Sequence, residues 1–245
     1  MPEPPQIVSP RCKMILVAKK KTLWMIVLVV VLLILAATGA TIAVLAAPPQ
    51  KPIVVLDPGH GGIDGGVSGV NSKVKESEIN LMISQSVKKL LEDQGIVTVL
   101  TRETADGLYP EGSTHTKRDD MEKRKQIIRE AAPSLVVSIH CNKFPDGSRR
   151  GAQAFFHPMS ESSKRLATYL QTNLNAVNQS TAGKTYAPLK GDYYILNCSS
   201  YPSAIVECGF LSNPDDDALL NTEAHRERIA YAVFSSIVTF LTTAA

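Results

Sequence analysis

The stretch Val54-Val55-Leu56-Asp57-Pro58-Gly59-His60-Gly61-Gly62 decides the fold. Ile53–Leu56 is a short continuous apolar run, and Asp57-Pro58-Gly59 ends it with turn chemistry, so it predicts a buried strand entering a turn. Outward from it, strand and helix patterns alternate. Ile79, Met82, Ile83, Val87, Leu90 and Leu91 follow helical spacing, and Gly95 stops that helix. Val97–Leu100, Leu135–Ile139, Ala152–Phe156 and Ala204–Val206 read as further strands. Leu166, Tyr169, Leu170, Leu174 and Val177 mark a second helix, and Ile229, Val233, Ile237, Phe240 and Leu241 a closing one. The alternation predicts an α/β fold: an open, largely parallel twisted sheet with helices on both faces. No internal repeat interrupts it.

The amino-terminal part is different in kind. Among 245 residues that are 44% apolar and 20% charged, Thr22 to Gln50 contains no Asp, Glu, Lys or Arg. Leu23 to Ala47 would make a helix of about 37 Å, enough to cross a hydrocarbon core of roughly 30 Å. Arg11, Lys13, Lys19, Lys20 and Lys21 precede it against the single acid Glu3, which predicts that this end stays in the cytoplasm. The expected organisation is therefore a basic cytoplasmic flank (1–21), a single transmembrane anchor (22–47), a Pro-rich linker (48–52) and an extracytoplasmic domain (53–245). A cleaved signal peptide is the rival, but an h-region usually runs about 7–15 residues. The net charge of +3 is concentrated beside the apolar run, so the folded part has no basic excess and nucleic acid is not expected as a partner.

In open α/β sheets, sites gather outside the carboxyl ends of the strands. Those ends here carry His60, His140 and Glu207, and Glu76 stands at the expected start of the first long helix. Two imidazoles and one carboxylate suit Zn²⁺ with a fourth position left open, and a further unligated carboxylate can move protons. Each feature alone has a plain structural reading. The Asp57–Gly62 segment could be only a tight turn, and Glu76, Glu78 and Glu103 could all be solvated charges. His115, His157 and His225 are read as ordinary surface or core histidines. No Gly-Lys-Ser/Thr follows the glycines, so a phosphate loop is unsupported. The four cysteines show no metal-binding spacing. Strand alternation turns Cys141 away from His140 and Cys208 away from Glu207.

Four stretches in order carry a resemblance: Val54 to Gly62, Val74-Lys75-Glu76-Ser77-Glu78-Ile79-Asn80-Leu81, Val137-Ser138-Ile139-His140-Cys141-Asn142, and Pro202 to Pro214 with Glu207-Cys208-Gly209-Phe210 inside it. Over Pro52 to Leu241 the chain resembles the zinc-dependent N-acetylmuramoyl-L-alanine amidases of bacterial cell walls. The resemblance implies that His60, Glu76 and His140 hold one Zn²⁺ ion and that Glu207 is the catalytic carboxylate. It also selects Glu76 over Glu78, which spacing alone leaves open. The substrate it implies is peptidoglycan, cut between N-acetylmuramic acid and L-alanine, with an activator protein of unknown identity as a possible partner. Asp57 and Asn142 are candidates for supporting the histidines. The segment Asp106 to Thr114, together with the membrane anchor, is similar to amidases that prepare spore-cortex peptidoglycan. Cys141, Cys208 and Arg129 depart from residues usual in the family, and none of them removes a ligand. The rival expectations are a stem-peptide peptidase of the wall and a non-catalytic peptidoglycan-binding or activator protein.

Overall fold

The computed structural model describes residues 20–36 and 51–243. These fall in two separate units, Met1–Gln50 and Lys51–Ala245. In the first unit the described residues form one helix, α1 (20–36), whose apolar side chains from Leu23 to Leu35 are exposed. Among the described residues no helix is long and apolar enough to cross a membrane. Residues 37–47 of the expected anchor, and most of the expected cytoplasmic flank, lie outside the described residues.

The second unit is built on β1 (Ile53–Pro58), β2 (Val97–Leu100), β3 (Leu135–Asn142), β4 (Gln153–Phe156), β5 (Leu189–Lys190) and β6 (Ser203–Phe210). They form one sheet in the order β2-β1-β3-β6-β4-β5, in which every pair is parallel except β4 with β6. The helices are α2 (Glu76–Asp93), α3 (Thr116–Ala131), α4 (Glu161–Ala182), α5 (Tyr194–Asn197), α6 (Pro214–Leu220) and α7 (Glu223–Thr243).

Strand alternation splits the core in two. Val54 and Leu56 of β1, Val137 and Ile139 of β3, and Val206 of β6 pack with the apolar stripes of α2, α4 and α7. Val55, Val136 and Ile205 face the other way, against Ile128 of α3 and Ile195 and Leu196 of α5. Helices therefore cover both faces, as expected. Helix α3 was not visible in the periodicity, because its buried side consists of little more than Ile128 and the guanidinium-bearing Arg124. Both β3 and β6 run further than their apolar cores suggested, so His140 and Glu207 lie inside strands and pair with each other in register. The register then shifts between His140 and Asn142, an irregularity of the kind that re-aims side chains beside sites.

Candidate active site

The parallel arrangement brings the carboxyl ends of β1, β3 and β6 side by side, and a helix that follows a parallel strand starts at that same edge. His60 follows β1, His140 sits in β3, and Glu76 is the first residue of α2. Glu76 Oε1 lies 3.2 Å from His60 Nε2 and 3.0 Å from His140 Nδ1. One donor atom from each of the three lies within 4.8 Å of the others, and this is the metal-capable group found among the described residues. Two imidazole nitrogens converging on one carboxylate oxygen are the donor set that suits Zn²⁺, so the residues fit the ion.

Glu76 is fixed from several directions. It is 2% exposed, its Oε2 accepts the Val67 N–H, and its Oε1 accepts from Cys141 N–H and Asn80 Nδ2. Burial alone would raise its pKa, but the two histidines outweigh that and hold it well below the ordinary carboxylate range. Glu78 faces solvent and Glu103 pairs with Lys88 at the surface, so neither competes. On His60, burial opposes the charged ring, yet hydrogen bonds and charge from Glu76 and Asp64 raise it to about 9.

The His60 backbone is left-handed, with φ 61°, and buried guanidinium groups hold the loop around it. Arg102 donates to the carbonyls of Pro58, Gly59 and Ser77, while Arg124 donates to those of Pro58 and His60. Asp57 anchors Arg124 at 2.6 Å and accepts from Thr101 and Ser138 hydroxyls. Despite its burial, that charge and those hydroxyls lower its pKa to about 2. Asp57 thus supports the loop and touches neither histidine, contrary to expectation. Asn142 also fails as a support, since its side-chain oxygen accepts the N–H of Lys143. Gly59 is required by close approach: a Cβ there would lie 2.1 Å from His140 Cε1.

Glu207 lies on the His140 face of the sheet, outside the three-residue donor group. Its Oε2 is sealed from solvent without a hydrogen-bond partner. Burial, helped by the negative charge of Glu76 and opposed by the two histidines, raises its pKa to about 7. Cys141 and Cys208 point into the opposite core layer and are 3% and 2% exposed, which is the placement that alternation required. Burial pushes the Cys141 thiol well up, followed by contact with Cys208. His115, His157 and His225 do not join the site: His115 is exposed, His157 faces Asp192, and His225 is buried in α7. A cleft of about 710 Å³ opens over His60, His140 and Glu207, walled by Ile63, Tyr109, Tyr193 and Tyr194. Sequence reading missed Arg102, Arg124 and Asp64. Only Asp64 left a local signal, since it lies four residues after His60.

Residues 54–239 match the family model described as N-acetylmuramoyl-L-alanine amidase. The chain is similar to the germination-specific N-acetylmuramoyl-L-alanine amidase of Bacillus subtilis (strain 168), 33% identical over 78% of this chain and 80% of that one. It is also similar to the amidase AmiA of Escherichia coli (strain K12), 28% identical over 78% and 76% of the two chains. Among solved structures it resembles the CwlD amidase of Clostridioides difficile, determined in complex with the GerS lipoprotein. That match has a TM-score of 0.74 and 34% identity, over 79% of this chain and all of the other. The chain belongs to the N-acetylmuramoyl-L-alanine amidase family, hydrolases that act on the peptidoglycan of the cell wall.

Proposed function

We propose that the chain hydrolyses the amide between the lactyl group of N-acetylmuramic acid and L-alanine, with one Zn²⁺ ion held by His60, Glu76 and His140 and with Glu207 as proton carrier. The supporting observation is the division between two carboxylates. Glu76 Oε1 faces one nitrogen of each histidine, whereas Glu207 stands outside that group on the neighbouring strand.

Zn²⁺ at that donor set supplies Lewis acidity for the carbonyl and acidifies water. Glu207 takes a proton from the attacking water as the water oxygen bonds to the lactyl carbonyl carbon. When the carbon–nitrogen bond breaks, the same carboxyl returns the proton to the nitrogen of L-alanine. One water is consumed, and a lactyl carboxylate and a free amine leave. Burial of the Glu207 carboxyl favours its protonated form, which helps it to take up the proton of the water. Purified wall digested with and without Zn²⁺ should yield new amino-terminal L-alanine and free lactyl carboxylate by mass analysis. Cleavage only within the stem would establish a peptidase instead, and no cleavage under any metal condition would point to a binding protein.

The proposal includes location. Residues 22–47 anchor the chain as a single pass, residues 1–21 stay in the cytoplasm, and residues 53–245 work outside. The charge-free run, its basic flank and the exposed apolar side chains of α1 support this. Proteolysis of intact protoplasts should remove the catalytic domain and leave a membrane-bound fragment. Recovery in the medium of a chain that lacks the amino-terminal apolar run would favour cleavage. A role in the spore cortex is supported by the similarity to a germination-specific amidase, and an outer-face protein activator by that to an amidase bound to a lipoprotein.

A further inference from the structure

His60 and His140 present nitrogens to the same carboxylate oxygen, and His60 has a second carboxylate, that of Asp64, at its other nitrogen. The His140 ring lies against Gly59, where even a methyl group would collide with it. Packing places it. The His60 ring is as exposed as that of His140, 26% against 23%, and it too abuts a glycine, Gly66, but its second nitrogen, Nδ1, also lies 2.9 Å from Asp64 Oδ2.

We propose that Asp64 is the positioning residue for His60, fixing its ring and tautomer so that the Nε2 lone pair faces the metal position. This rests on the metal-site reading above. Asp64 is built for such a task. Its backbone exchanges hydrogen bonds with Gly61 in both directions, at 2.8 and 3.2 Å. Its Oδ1 accepts the Gly66 N–H at 3.1 Å, which leaves Oδ2 directed at the ring. With a metal ion bound, keeping the proton on Nδ1, donated to Asp64, leaves the Nε2 lone pair for the ion on the side that faces Glu76, 3.2 Å away. A carboxylate on the far nitrogen of a metal-binding histidine sets ring orientation and raises ligand basicity. An ordinary exposed ion pair would contribute little to anything measurable, so the two roles predict different results.

The test is a zinc titration against a chromogenic chelator, using the full chain and the variants Asp64→Ala and Asp64→Asn, with melting of the zinc-free proteins alongside. Asp64→Ala should weaken zinc affinity about 10–100-fold. Asp64→Asn, which keeps an oxygen to accept the Nδ1–H, should recover most of it. Because Asp64 is half exposed, both zinc-free variants should melt within about 4 °C of the parent. Asp64→Ala with parental affinity overturns the proposal. So does Asp64→Asn as weak as Ala, or a zinc-free melting collapse, which would make Asp64 a staple of the loop. A parent chain with no zinc affinity overturns the metal-site reading itself, and this proposal with it.

Discussion

Replacing Glu207 with Gln should make the zinc-free protein more stable while removing most of its activity. The carboxyl is raised in the folded state from 4.5 to about 7, mainly by burial. An acid whose folded pKa lies above its unfolded value is penalised only when ionised. Below pH 4.5 both states hold the proton and there is no penalty. It grows as pH rises from 4.5 to 7 and is complete above that. A displacement of this size corresponds to about 3 kcal/mol. For a domain of this length that is roughly 6–12 °C of melting temperature. Gln itself brings an amide into a place where Oε2 has no partner, which adds a cost that does not vary with pH. The variant's gain is therefore read as the change in its melting difference between pH 4 and pH 8. Scanning calorimetry of zinc-free protein at those pH values measures it, and wall digestion of the zinc-loaded form should show a rate loss of about 10²–10⁴. An equal melting difference at both pH values would refute the buried, proton-hungry Glu207. Undiminished hydrolysis would refute its role.

Glu76→Ala should lose zinc and activity together, as metal analysis and digestion can check, because only two imidazoles remain to hold the ion. Cys141→Ala should keep one equivalent of zinc and most activity at a cost of about 1 kcal/mol in stability; loss of the metal would place a thiolate on it. Arg124→Met leaves Asp57 buried without its cation, 2% exposed, and should cost about 3–5 kcal/mol at neutral pH in denaturant titration. A smaller loss would mean that the Asp57–Arg124 pair does not hold the His60 loop.

What could be read from the chain alone was whatever local pattern encodes. The apolar runs at Ile53, Val97, Leu135 and Ala204 announced the parallel strands, and the parallel arrangement then placed His60, His140 and Glu207 on one rim. Alternation correctly turned Cys141 and Cys208 into the core. What could not be read depends on partners distant in sequence. Helix α3 buries an arginine where an apolar stripe was sought, and that arginine is met by Asp57, 67 residues away, by Asp120 on its own helix, and by the carbonyls of Pro58 and His60. Asp57 was a candidate support for the histidines. Its partners in space are Arg124, Thr101 and Ser138. Nothing in the spacing of the Glu76-Ser77-Glu78 segment distinguished the two acids either.

Environment favours Glu76 in that last choice, and the same physics separates Glu76 from Glu207. Both are carboxylates on the same rim, within the influence of the same two histidines. Glu76 receives N–H groups from Val67, Cys141 and Asn80 besides the rings, so its negative charge is held before any metal arrives. A group stabilised in that way suits a metal ligand better than a base. Glu207 has an oxygen with no donor at all, and it feels the repulsion of Glu76, so it keeps affinity for a proton. Two acids driven in opposite directions from a common starting point are suited to opposite roles. Glu76 also creates part of the difference, because its fixed charge helps to raise Glu207. The same charge helps to hold the His60 imidazole protonated, so removing Glu76 should do more than release the metal: in the zinc-free protein the His60 ring should titrate below its value of about 9, visible by NMR. An unchanged His60 titration would mean that Asp64 alone keeps the ring charged, and that Glu76 and the imidazole are not coupled.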